Sequence, residues 1–66
     1  MEQGGRIDRE AALAEAIASE LHAAARFHER AGNDAVAEAL RRDAGRQARE
    51  AVTLRLQAEP SPTLPA

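Results

Sequence analysis

Alanine recurs at seven-residue intervals in this chain, at Ala11, Ala18 and Ala25 and again at Ala37, Ala44, Ala51 and Ala58. A period of seven keeps a residue on one side of a helix through two turns, so each series marks a line along which another backbone can approach closely. Seventeen of the 66 residues are alanine, whereas Leu, Ile, Val and Phe together number eleven. Few side chains are therefore large enough to fill a core. A chain of this size typically buries only ~60% of its unfolded surface, and without cysteine it has no disulfide to compensate. Association with another chain is the remaining source of burial.

Charge excludes little. Nine arginines against eleven acidic residues give a formal net charge of −2, which supplies no global attraction for nucleic acid or anionic lipid. No cationic segment precedes a short apolar run, and no apolar run approaches the ~18 residues of a membrane span. These features predict a cytoplasmic protein without a membrane partner, and the absence of cysteine is compatible with a reducing compartment.

Three segments follow from the punctuation. Residues 1–6 contain the Gly4-Gly5 pair and read as a flexible start. Residues 7–58 read as a helical hairpin. Its first helix spans about 7–31, with Asp8 as a candidate cap and Glu10 at the positive end of the dipole. Gly32 and Asn33 make the turn, because Gly32 can take the left-handed conformation that ends a helix. The second helix spans about 34–58 and is interrupted only by Gly45. Residues 59–66 hold three prolines, which cannot continue a helix. They read as a flexible tail in which Pro62 and Pro65 form a PxxP match of low specificity.

A heptad reading places Ile7, Ala14, Leu21 and His28 on one row of helix one, and Glu10, Ile17, Ala24 and Ala31 on the other. Helix two answers with Ala37, Ala44, Ala51 and Ala58 alternating with Leu40, Gln47 and Leu54. Matching periods predict antiparallel packing in which positions numbered to a sum of about 65 meet, for example Ala14 with Ala51 and Leu21 with Ala44. Gln47 is a polar group on that seam and a candidate determinant of register. A second stripe of Ala11, Leu13, Ala18, Ala25 and Phe27 on helix one, with Ala48, Val52 and Leu56 on helix two, is predicted to lie outside the seam. It would need a second hairpin to cover it.

Residues able to support catalysis are sparse. Cysteine is absent, Ser19 and Ser61 are the only serines, and no base stands at a recognisable spacing from either. His22 and His28 lie six residues apart, which turns a helix by about 240° and separates them onto different faces. A metal at His22 would need ligands from another chain, so neither a metal nor a cofactor is predicted. Arg42, Arg46 and Arg49 form a stripe opposite the seam of helix two that could follow phosphates. Glu38, Asp43 and Glu50 lie three or four residues from them and can neutralise it.

The sequence thus predicts an all-α antiparallel two-helix hairpin that dimerises into a four-helix bundle. Its expected function is that of a non-enzymatic protein–protein interaction or assembly module, with a homodimer or a foreign helical protein as partner. The alternative is a hairpin dimer that binds nucleic acid through the arginine stripe.

Overall fold

The computed structural model describes residues 3–58 and contains two helices, α1 (Gln3–Arg30) and α2 (Asp34–Ala58), packed against each other as a hairpin. Alanine, Leu, Glu and Arg dominate both stretches and lose little side-chain entropy in a helix. At 1.5 Å per residue the 28 residues of α1 run about 42 Å.

The helix begins earlier than the sequence suggests. Gln3 to Gly5 belong to α1 rather than to a loose start, because each added residue completes one more backbone bond once a helix is nucleated. Asp8 therefore lies inside the helix and caps nothing, and no acidic residue occupies the first turn. The flexible tail expected over 59–66, with its PxxP match, lies outside the described residues, as do Met1 and Glu2.

The turn is built on two nested backbone bonds. The Asn33 amide donates to the His28 carbonyl at 2.8 Å and the Gly32 amide donates to the Glu29 carbonyl at 3.0 Å. This is a Schellman closure, and it requires the residue between to be left-handed: Gly32 has φ +87°. The Asn33 carbonyl then accepts from Ala37 at 3.0 Å and opens α2, with Asp34 in its first turn favourably placed on the helix dipole. The Asn33 side-chain amide donates to His28 Nδ1 at 3.4 Å, joining the two helix ends across the turn.

Two of the four glycines, Gly32 and Gly45, carry opposite expectations. Gly32→Ala is expected to destabilise the hairpin by about 1 kcal/mol because an alanine at positive φ is strained. Gly45→Ala is expected to stabilise it by a similar ~1 kcal/mol, because the added Cβ meets only the flexible tip of Arg49 at 3.4 Å. Thermal melts of the two variants at one protein concentration check both signs.

The core is made of alanine. Ala11, Ala14, Ala18 and Ala25 of α1 and Ala37, Ala44 and Ala51 of α2 are the buried hydrophobic residues, and no large side chain is fully buried among the described residues. Ile7, Leu21, Ala24 and His28 of α1 and Leu40, Gln47 and Leu54 of α2 are half-buried beside them. Ala11, Ala14 and Ala51 form one cluster with Leu54 against it.

Helix one is thus rotated from the expected seam. Ala11, Ala18 and Ala25, expected on the outer flank, lie inside the hairpin, while Glu10, Ile17 and Ala31, expected on the seam, are exposed. The two rows differ by one residue, or about 100° of helix. Turning α1 onto its alanines lets the backbones close on each other, whereas Ile17 on the seam would hold them apart.

Candidate functional site

Because the core uses the smallest side chains, the large ones are displaced to the surface. Leu13 and Phe27 are each 61% exposed, Ile17 38%, Val36 44%, Val52 59% and Leu56 66%. They do not form one patch. Counting 100° per residue from the buried rows puts Leu13, Ile17 and Phe27 on one side of the helix pair, and Val36 on the same side. Ala48, Val52 and Leu56 fall on the opposite side. The single outer stripe expected from the sequence is therefore divided: part is buried in the hairpin, and the rest lies on two opposite faces.

The face bearing Val52 is a groove of about 600 Å³ between the helices. Ala18 and Ala51 contribute its small apolar lining, Ala48 and Val52 its wall on α2, and Glu15, Ser19, His22, Arg26 and Arg55 its polar lining. Ion pairs bridge the helices along this face. Arg55 grips Glu15 in a two-pronged contact, Nε to Oε2 and Nη2 to Oε1, both at 2.8 Å, and its Nη1 lies 3.8 Å from Asp8 Oδ1. Nearer the turn, Arg41 pairs with Glu29. The sequence expectations contain neither pair, although 15 with 55 and 29 with 41 share one sum, the signature of cross-helix neighbours in an antiparallel pair.

The Arg55 hydrogen bonds hold the Glu15 carboxyl below its ordinary value of 4.5, and the same contact raises Arg55. A carboxylate with a lower pKa folded than unfolded contributes stability above its unfolded value, and that contribution disappears as pH falls through the folded value. Acidification below about pH 4.5 is therefore expected to cost the wild type a part of its melting temperature that Glu15→Gln has already lost. Melting curves taken from neutral to acidic pH check this, and superimposable wild-type and variant profiles would refute it.

The opposite face is plainer. Leu13, Ile17, Ala24 and Phe27 of α1 line it, with Val36 and half-buried Leu40, Gln47 and Leu54 of α2 beside them. Among the described residues, no ion pair joins the two helices on this side.

Other candidate residues are dispersed. Arg42, Arg46 and Arg49 are exposed on the side of α2 away from α1, and Arg46 is engaged by Asp43 within its own helix. His22 is an exposed groove residue, while His28 is half-buried at the turn, its ring edge-on to Phe27 with centroids 5.4 Å apart. Among the described residues, no three His, Asp or Glu side chains are grouped to hold a metal ion. No described helix is long and apolar enough to cross a membrane. Compared with protein-family models, with curated proteins and with solved structures, the chain shows no significant match.

Proposed function

We propose that this chain is a non-catalytic, self-associating module in which two hairpins combine into a four-helix bundle and so form a small assembly or interaction unit. The observation that carries the reading is the inversion of side-chain size: seven alanines are buried while six large apolar residues stand exposed. Two-helix contacts through alanine bury little apolar area, so a lone hairpin is marginal, and covering its outer leucine, isoleucine and phenylalanine offsets the deficit. Recognition by packed helix faces is the chemistry such a surface supports.

Sedimentation equilibrium across a wide concentration range, with helicity followed by circular dichroism on the same samples, tests it. Twice the chain mass together with high helicity is the expected result. A fully helical monomer at the highest concentrations would overturn the reading.

A further inference from the structure

We propose that the second copy seats on the Leu13–Ile17–Phe27 face in the reverse direction, α1 over the copy's α1 and α2 over the copy's α2, about a two-fold axis level with Glu20. This inference rests on the self-association reading and specifies its geometry.

The choice of face follows from what each would lose. Covering the groove would strip water from the Arg55–Glu15–Asp8 and Arg41–Glu29 contacts, whose charges are half-exposed and held partly by solvent. Removing charges from water is unfavourable unless the pairing and further hydrogen bonds compensate. The opposite face has no bridge between the helices among the described residues, only the Asp43–Arg46 pair within α2, and it carries large side chains. Leu13, Ile17, Phe27 and Val36, exposed between 38% and 61%, with their equivalents on a second copy and the flanking stems, cover on the order of 1,000 Å², the lower bound for a specific interface.

The occupant follows from the spacing. Positions 13, 17, 20, 24 and 27 repeat at intervals of four and three, the seam of a second coiled-coil contact on the same helix. That series is nearly palindromic about Glu20. Laid antiparallel on itself it sets Leu13 against the copy's Phe27, at seven residues to either side of the axis, and Ile17, three residues before the axis, beside the copy's small Ala24, four residues after it. Large meets large at the ends and large meets small between, which fills the layers.

Helix two obeys the same axis. The hairpin register that clusters Ala14 with Ala51 puts Glu20 level with residue 45, so α2 meets its copy at positions summing to about 90. Val36 then meets the copy's Leu54. Gln47 meets the copy's Asp43, where a side-chain amide can donate to Oδ2, the carboxylate oxygen that Arg46 does not engage, and both residues are half-buried. A foreign helix would have no reason to match both helices at once.

The reverse seating has two unfavourable contacts, Leu40 facing the copy's Glu50 and Glu20 near its own copy, and the second makes it testable. With the hairpins side by side in the same direction, Glu20 would lie over the copy's Arg46 instead. Sedimentation equilibrium of the full chain and of Glu20→Gln, with circular dichroism as a folding control, separates the cases. Relief of a like-charge contact is expected to tighten the dimer about two- to tenfold. A dimer that Glu20→Gln weakens or leaves unchanged overturns the seating but not self-association. A wild-type chain that remains a helical monomer removes both. As a second readout, Glu20→Cys is expected to cross-link to itself through a short bis-maleimide in this otherwise cysteine-free chain, and cross-linking at Val52→Cys in its place would assign the interface to the groove.

Discussion

Ala44→Leu is expected to lower the melting temperature by roughly 5–20 °C, because overpacking a close-fitting seam costs about 1–3 kcal/mol and a domain of this size shifts about 4–8 °C per kcal/mol. Ala44 is fully buried, at the level where the antiparallel register brings half-buried Leu21. A leucine there must push against α1, since Ala44 is already fully covered. The helices must either separate, which opens the whole alanine row, or the new side chain must leave its preferred rotamer. Ala39→Leu, at an exposed position of the same helix, is the control and is expected to change little. Both melts belong at one protein concentration, since the transition of an associating chain depends on concentration. An Ala44→Leu protein that melts with the wild type would refute the close helix approach on which the fold depends.

Leu13→Glu combined with Phe27→Glu carries the second large effect. If two hairpins cover this face, each substitution acts twice per dimer, removing a buried side chain worth about 1.5–3 kcal/mol and placing a charge where water is excluded. A loss of at least about a hundredfold in association is expected, from a combined cost well above 2.7 kcal/mol. Helicity should fall with it at dilute concentration, since the isolated hairpin has only an alanine core. Val52→Glu, on the groove side, changes one equally exposed residue and is expected to leave the dimer intact. Sedimentation of the three proteins reads this directly. Association lost in Val52→Glu but retained in the double variant would transfer the interface to the groove.

Much of the architecture was legible from residue type and spacing. Two long proline-free stretches of good helix formers separated by Ala31-Gly32-Asn33-Asp34 specify a helical hairpin, because Gly32 alone can adopt φ +87° cheaply and Asn33 can begin the next helix. The start of α1 was less legible. Gly4 and Gly5 read as a break, yet elongation of a helix already formed outweighs their propensity cost.

The site was hardest to read, and the reason lies in α1 itself. Its alanines at 11, 18 and 25 and its residues at 10, 17, 24 and 31 repeat with the same period and share the neighbouring row at 7, 14, 21 and 28. Periodicity counts matches but cannot say which of two adjacent rows turns inward. Local composition thus settles that the chain makes two helices, where they reverse, and that large apolar side chains are scarce. Only the packing of α1 on α2 decides that alanine lies inside and that Leu13, Ile17 and Phe27 lie on the face opposite Val52 and Leu56. Helix propensity is summed residue by residue along one segment. Facing, by contrast, depends on how closely two backbones can approach, a property that neither helix has alone.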